Sequence, residues 1–130
     1  MKILITPKQF KAAPPREGMK KFIVLYHAPV AAAKKMAAAS PAEMKAGMES
    51  WMKWAKKCGS SLVDMGAPLA NGQKVTTKGT FPSDKGVVGY SVLQAKSMRD
   101  AVKMLKGHPH LAWVDGCQIE VHEMQPPPGS

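Results

Sequence analysis

The run KFIVLYH, residues 21–27, decides how this chain folds. It is an apolar stretch rich in β-branched and aromatic side chains, which is typical of a strand buried within a sheet. Ala28-Pro29 follows directly, and proline cannot donate a hydrogen bond to a continuing strand. We therefore predict that residues 21–27 form the central strand of a sheet that the rest of the chain must cover.

The sequence after residue 39 predicts a long helix that packs on this strand. Ser40 suits the N-cap, Pro41 suits the first helical position, and Glu43 completes a capping box. Gly59 supplies a stop, so the helix should span about 41–58. Its core face is predicted from an apolar stripe at helical spacing: Met44, Met48, Trp51, Met52 and Ala55. The stretch just before it is short and ends at Ser-Pro, which predicts a loop or one loose helical turn at 30–39.

Three further strands are predicted in the middle of the chain, at 61–69, 73–81 and 86–95. Asn71-Gly72 is a hairpin-turn signal between the first two of them. A second helix should begin at Ser97, which has an acid three residues later, and should end at Gly107 and Pro109.

The alternation of CQIEVHEM, residues 117–124, predicts a last strand with one wet face. The element order is then β-α-β-β-β-α-β, an α+β sandwich of ferredoxin-like type with both helices on one face of the sheet. The other face of the sheet must also be buried, and for so small a chain a second copy of the same chain is the simplest cover. We therefore predict a homodimer.

The length of 130 residues suits a single domain, predicted at 19–124. Residues 1–18 carry three prolines and few core-forming side chains, which predicts a flexible N-terminal arm, and the proline-rich residues 125–130 predict a disordered tail. No apolar run has the length of a membrane span or a secretory signal, which predicts a cytoplasmic protein without membrane contact. Two cysteines, Cys58 and Cys117, are too few for a disulfide framework, so both should be buried thiols.

A formal net charge of +10 favours acidic partners and raises the question of nucleic acid. However, 17 of the 19 basic residues are lysines and only two are arginines. Arginine is the residue that contacts phosphate and guanine through two hydrogen bonds at once, so this composition argues against nucleic-acid binding.

Five segments together resemble the YCII-related family, and its DGPF-domain branch in particular. They are MKKFIVLYHAP, SPAEM, LVDMGAPLA, GYSVLQAKSMRDAVKMLKGHPHL and GCQIEVHEM, within residues 19–124. The resemblance implies a dimeric α/β-barrel in which two ferredoxin-like sheets face each other, with a cleft between sheet and helices. Many members of the family have no assigned reaction.

This chain differs from the family at two sets of positions. The segment that names the branch, Asp-Gly-Pro-Phe, is replaced here by residues 78–81, Lys-Gly-Thr-Phe. Another branch has a helix His and an Asp as a proposed catalytic pair, and the matching positions here are Glu43 and Lys57. The resemblance therefore implies no inherited His–Asp acid–base pair.

Two residues are candidates for catalysis. His27 ends the first strand, where clefts open, and neutral imidazole exchanges protons near pH 7. The alternative is a histidine hydrogen-bonded to a loop carbonyl. Asp64 interrupts an apolar strand, and a buried carboxylate there would suit a general base. Alternation alone favours a solvent-facing side chain instead.

Five residues are candidates for ligand binding: Tyr26, Trp54, Tyr90, His108 and His110. The two tyrosines lie on strands that could reach a cavity, and Trp54 could line the cleft or the dimer seam. Core packing explains all three as well. The two histidines flank Pro109 and could hold a metal with a third ligand such as His122 or Asp115. Nothing in the spacing fixes a third ligand, so no metal and no cofactor is predicted.

These observations give three functional hypotheses. The first is a small-molecule-binding dimer that performs cofactor-free proton transfer of lyase or isomerase type, with His27 as base and Asp64 orienting it or the substrate. The second is a ligand-sensing or protein-interaction module without catalysis. The third, a nucleic-acid accessory protein, rests on charge alone.

Overall fold

The structure is a computed structural model and describes residues 18–129. The predicted arm lies outside the described residues apart from Gly18, and so does Ser130 of the predicted tail. The described chain has the following strands and helices: β1 Lys20–His27, α1 Val30–Ala38, α2 Pro41–Cys58, β2 Leu62–Pro68, β3 Gln73–Thr76, β4 Gly79–Pro82, β5 Val87–Ala95, α3 Met98–Leu105, α4 Pro109–Trp113 and β6 Gln118–Glu123.

Four strands form one antiparallel sheet in the order β2-β5-β1-β6. β1 lies inside the sheet between β5 and β6, so the prediction that residues 21–27 form a central strand is confirmed. Alternate residues of β1 are fully buried and pack under the helices, where Trp54 of α2 and Leu105 of α3 join them in the core. Lys21, Ile23, Leu25 and His27 alternate with them, project to the opposite face and are half-buried. The α+β class is confirmed.

Helix α2 begins and ends where the sequence predicts, and Ser40 and Glu43 form both bonds of the capping box. The predicted core stripe is only partly right. Three of its members are exposed: Met44, Met48 and Met52. Trp54 is buried in their place, because the residues that pack on the core recur at 51, 54, 55 and 58, a row rotated away from the methionines.

Two predictions for the loops are wrong. Residues 30–38 form α1 rather than a loose turn, because the alanines favour helix and Ala32 is buried. Residues 73–81 do not form one strand. They make a separate hairpin of β3 and β4, while β2 pairs with β5, so Asn71-Gly72 does not connect two paired strands as predicted.

The C-terminal part of the chain follows the prediction closely. Helix α3 begins after Ser97, whose side chain accepts a hydrogen bond from the Asp100 amide. β6 alternates as predicted, with Ile119 half-buried and Glu120 exposed. Pro109 starts the short helix α4, which the sequence did not predict. Within residues 18–129, no helix has both the length and the apolar character needed to cross a membrane.

Candidate functional site

The candidate residues lie on two opposite sides of the sheet. Tyr26, Trp54, His108 and His110 lie between the sheet and the helices. His27, Asp64 and Tyr90 lie on the other side, which no helix of the described chain covers. The structure therefore separates the predicted catalytic residues from most of the predicted ligand-binding residues.

Aromatic rings fill the space between sheet and helices. The ring centroid of His108 lies 4.5 Å from that of Trp51 and 4.4 Å from that of Trp54. Tyr26 lies 4.8 Å from Trp51 and 5.1 Å from His108. The Trp54 indole N–H donates to the main-chain oxygen of Met104, at 2.9 Å. These residues pack as a core cluster at the position where the resemblance implies a cleft.

The Tyr26 hydroxyl is part of a buried chain of hydrogen bonds. It lies 2.8 Å from the Ser91 hydroxyl, which donates to the main-chain oxygen of Met65 at 2.8 Å. Burial raises the pKa of Tyr26 to about 12. The phenol therefore stays protonated at neutral pH and links β1, β5 and β2 as a structural group.

His108 is a neutral imidazole with a defined tautomer. Its Nδ1 accepts a hydrogen bond from the His110 amide at 2.9 Å, which places the proton on Nε2. Burial lowers the pKa of His108 to about 4, with a smaller contribution from His110. Nε2 has no hydrogen-bond partner among the described residues, and the imidazole ring meets both indole rings in a T-shaped, edge-on arrangement.

His110 is engaged elsewhere. Its Nε2 lies 2.8 Å from the main-chain oxygen of His27, so this side chain joins α4 to the end of β1. The alternative of a metal held by the two loop histidines therefore finds no support here. Within residues 18–129, no group of three or more His, Cys, Asp or Glu side chains is placed to hold a metal ion.

The open face of the sheet is apolar at its centre. The strand register places Ile23 beside Val92 and Leu25 beside Tyr90, and side chains paired in this way share one face. All four are half-buried although no helix covers them. We call this set the open sheet face. Exposure of this apolar surface to water is unfavourable by a free energy of about 25 cal/mol per Å².

His27 lies at one end of the open sheet face and is held in one orientation. Its Nδ1 lies 2.8 Å from the main-chain oxygen of Lys85, and only a protonated Nδ1 can donate to that carbonyl. This is the loop hydrogen bond that the sequence left as an alternative. It leaves Nε2 with a lone pair, buried and without a hydrogen-bond partner.

Glu120 is the carboxylate beside His27. One of its oxygens lies 3.8 Å from the Nε2 of His27, and the other lies 2.8 Å from the Nε2 of His122. The hydrogen bond from His122 is the main reason that the pKa of Glu120 is lowered, and the electrostatic effect of the neighbouring His27 and His122 rings acts in the same direction. Sequence reasoning missed Glu120, since alternation showed only that it faces outward. The register of β6 against β1 brings it to His27.

Asp64 is exposed, as alternation predicts, and it does not contact His27. Its carboxylate accepts hydrogen bonds from the Gly66 amide at 2.8 Å and from the Tyr90 hydroxyl at 3.4 Å. The register places Asp64 level with Ile23, four residues along β1 from His27, which is about 13 Å at the rise of a strand. A direct role in orienting His27 is thus wrong, and a role toward a substrate stays a prediction.

The two cysteines are free thiols, as predicted, with Cys117 buried and Cys58 half-buried. Burial raises the pKa of Cys58, which outweighs the opposite effect of Lys57. The thiol is therefore protonated at neutral pH and is poorly suited to act as a nucleophile.

Comparison with protein-family models and with curated proteins finds no match to this chain. The resemblance to the YCII-related family therefore stays a prediction. The function has to be argued from the geometry of the open sheet face.

Proposed function

We propose that the protein is a homodimer of ferredoxin-like subunits whose open sheet faces meet and enclose a small-molecule site. The strand order β2-β5-β1-β6, with helices after β1 and after β5, supports this form of the α+β fold. The half-buried apolar centre of the open sheet face supports the pairing, because a second copy would remove it from water. The same arrangement is implied by the resemblance to YCII-related proteins.

In this proposal His27 is a general base for proton transfer without a cofactor. The observation that carries it is the free, buried Nε2 lone pair of a ring whose Nδ1–H is fixed on the Lys85 carbonyl. Nε2 would form a bond to a substrate proton, and the electrons of the broken bond would stay on the substrate. The resulting imidazolium would lie beside the Glu120 carboxylate, at the 3.8 Å that separates Nε2 from one carboxylate oxygen.

A structural argument supports a site on the open sheet face. Between sheet and helices, the rings of Tyr26, Trp51, Trp54 and His108 are in mutual contact, and a ligand there would have to separate them. On the open sheet face, a ligand would need only the partner subunit as its second wall. Tyr90 and Asp64 lie on that face as polar groups that could contact it.

Native mass spectrometry of the protein as purified, with no ligand added, tests the dimer and the site together. We expect a mass of two subunits plus that of a small molecule. Val92→Lys, which places a charge in the open sheet face, should give monomers without the extra mass. Val102→Lys is the matched control, because Val102 is exposed on α3, and it should leave the dimer intact.

The role of His27 is tested with His27→Gln and His122→Gln. If the co-purified molecule contacts His27, the first variant should lose it or turn it over at least tenfold more slowly, as is typical for loss of a general base. The second variant removes an exposed histidine of the same face and should change turnover less than His27→Gln does. Equal behaviour of His27→Gln and the wild type would contradict the assignment.

A second candidate is a ligand-sensing module without catalysis. Glu43 and Lys57 stand where one family branch has its proposed catalytic pair. The Glu43 carboxylate accepts the Ser40 amide hydrogen bond of the capping box, and Lys57 is exposed near the end of α2. Retained binding with no turnover of the identified ligand would favour this candidate over the first.

A further inference from the structure

The outer side of β6 has no strand partner in the described chain. The sheet order β2-β5-β1-β6 places β6 at an edge, and the amide after it, that of Met124, donates to the Lys21 oxygen at 2.9 Å. Hydrogen-bonded pairs alternate along an antiparallel ladder, so the main-chain groups of Ile119, Val121 and Glu123 point away from β1. Among residues 18–129, nothing bonds to these three N–H and three C=O groups. They are open to a further strand.

The opposite edge of the sheet is irregular, and β6 is not. β2 pairs with β5 through two register shifts, contains Gly66 at a φ of +78° and ends at Pro68. Bulges and prolines hinder the pairing of a further strand with an edge. β6 has 6 residues, pairs with β1 without a shift and contains no proline or lysine. A regular edge of this kind is extended by another chain through main-chain hydrogen bonds.

We propose that β6 pairs antiparallel with β6 of a second copy of this chain, about a twofold axis that passes beside Val121 and is perpendicular to the sheet. In this register Val121 faces the partner's Val121, and Ile119 faces the partner's Glu123. Each outward N–H and C=O group of β6 then has a partner on the other copy. The same strand serves on both sides, as a twofold interface requires.

The polar side chains of β6 fit this register. Glu120 lies opposite the partner's His122, with about 4.5 Å between the Cα atoms, and the symmetry repeats the pair. The two Glu120 residues are only diagonal neighbours, with Cα atoms about 7–8 Å apart. The Nε2 atom of His122 lies 2.8 Å from its own Glu120, and its Nδ1 makes no hydrogen bond in the described chain. A protonated ring can therefore donate to both carboxylates.

Glu123 is the other charged residue of β6, and it lies on the helix side of the sheet. Its carboxylate lies 3.6 Å from the Lys20 ammonium and accepts a hydrogen bond from the Gln125 amide at 2.6 Å. In the proposed register it faces the partner's Ile119, and the two Glu123 residues lie about 13 Å apart along the strands. No two like charges are directly opposite each other across this interface.

Moving the axis by one residue removes both advantages. With the axis at Glu120, the two Glu120 carboxylates face each other. The outward groups then pair only between Ile119 and Val121, because the Cys117 amide already donates within its own turn. With the axis at His122, two imidazoles face each other, and Ile119 lies opposite the tail rather than a strand. The axis at Val121 therefore gives the most hydrogen bonds and the best match of charges.

The β6 edge is distinct from the open sheet face, and its pairing does not depend on that face. Only one short strand of each copy takes part, which is less than a stable dimer interface buries. The association should therefore form at protein concentrations above those of native mass spectrometry. Where the open sheet faces also pair, the two axes are perpendicular, and four subunits close into a dimer of dimers.

Hydrogen exchange of the wild-type full chain tests the pairing residue by residue. At low protein concentration, the amides of Ile119, Val121 and Glu123 should exchange as exposed amides do, whereas the Met124 amide is protected by its bond to Lys21. At a concentration where about nine-tenths of the chains are paired, the three outward amides should exchange roughly tenfold more slowly. The Met124 amide should not change. Exchange is quenched after each interval and read by NMR.

Two variants that add the same charge test the register. His122→Glu places a carboxylate opposite the partner's Glu120, twice in each pair of chains, and should weaken the association by roughly tenfold. Gln118→Glu is the matched control, because Gln118 is exposed on the same side of β6 and faces the partner's Met124. It should stay within about threefold of the wild type. The double variant E120H/H122E exchanges the two side chains and should restore the association. The concentration that protects the outward amides is the readout, since it reports only this edge.

Four outcomes would overturn the proposal. Outward amides that are protected at every concentration would show that a segment of the same chain covers the edge. Outward amides that stay unprotected at every concentration would show that the edge remains open. An equal effect of Gln118→Glu and His122→Glu would contradict the register, and so would a double variant that associates no better than His122→Glu.

Discussion

The Nδ1 atom of His27 lies 2.8 Å from the main-chain oxygen of Lys85, and this bond ties the end of β1 to the segment that enters β5. Two more bonds reinforce the junction. The Ala28 amide donates to the Gly86 oxygen at 2.8 Å, and the His110 ring lies 2.8 Å from the His27 oxygen. The end of β1, which carries the imidazole that we propose as a base, is thus held by two other segments of the chain, at Lys85–Gly86 and at His110.

We expect His27→Leu to loosen this junction. The change removes the side-chain bond to Lys85, so the Ala28 amide should exchange its hydrogen faster, by about fivefold for the loss of about 1 kcal/mol of local stability. Hydrogen–deuterium exchange read by mass spectrometry or NMR measures this. His122→Leu is the control, since the hydrogen bond of its ring goes to Glu120 and not to the junction. Equal exchange in both variants would show that the bond does not hold the junction.

Removing the Ser91 hydroxyl should destabilise the protein more than removing the Tyr26 hydroxyl. Tyr26→Phe deletes one buried hydrogen bond and should lower the free energy of unfolding by about 1 kcal/mol. Ser91→Ala also leaves the Tyr26 hydroxyl buried without a partner and removes the donor to Met65, so we expect about 2–3 kcal/mol.

Urea unfolding of these two variants and of the double variant closes a double-mutant cycle. The double variant should be no less stable than Ser91→Ala alone, because the unpaired phenol is then absent. Additive losses in the double variant would show that the two hydroxyls act independently.

The lowered pKa of His108 predicts a loss of stability in acid. Its folded pKa of about 4 is below the unfolded value of about 6.5, so the unfolded chain binds the proton first. The stabilisation is complete above pH 6.5 and is lost as the pH falls toward 4. Over that interval the free energy of unfolding should decrease by about 3 kcal/mol because of this residue alone.

His108→Asn isolates this effect. Asparagine keeps a side-chain acceptor for the His110 amide at the start of α4 but has no proton to gain. The variant should be less stable at pH 7, because the indole contacts are lost, and its stability should depend less steeply on pH between 6.5 and 4. Urea unfolding at a series of pH values measures the slope. Parallel curves for the two proteins would contradict the assigned pKa.

Two glycines should respond to alanine in opposite ways. An alanine Cβ at Gly66 would lie 1.7 Å from the Tyr90 oxygen, and the residue has a φ of +78°. Gly66→Ala should therefore lower the free energy of unfolding by roughly 3 kcal/mol or more, since backbone must move at the β2–β5 pairing. Gly47 has no atoms nearby and lies in a helix, so Gly47→Ala should raise it by up to about 1 kcal/mol. Chemical unfolding of both variants provides the comparison.

Local signals were enough to predict much of the fold. The α2 helix has the predicted bounds because Ser40, Pro41 and Glu43 act within one turn of its start. β1 is central because the side chains of its apolar run are shielded from water only when neighbouring strands flank it in a sheet. The predicted hairpin of residues 61–69 with 73–81 is wrong, because a local turn signal does not specify which distant strand pairs with β2, and that strand is β5.

The face of α2 that packs on the core was also misjudged. Methionine and tryptophan rows are both apolar at helical spacing, and periodicity cannot rank them. The position of the sheet decides, and it covers Trp54 while leaving Met48 exposed. The candidate residues on β1 are separated for a related reason. Neighbouring residues of a strand point to opposite faces of the sheet, so Tyr26 lies on the helix side and His27 lies on the open sheet face.

The sequence by itself determined the α+β class, the central strand, the bounds of α2 and the outward alternation of β6, because each of these depends on residues close together in the chain. Tertiary structure alone decided that Glu120 lies beside His27, that Asp64 does not, and that His108 is buried against two indoles. These relationships depend on strand register and on the packing of helices over the sheet. Both arise from contacts between residues far apart in sequence, whose partners no local pattern specifies.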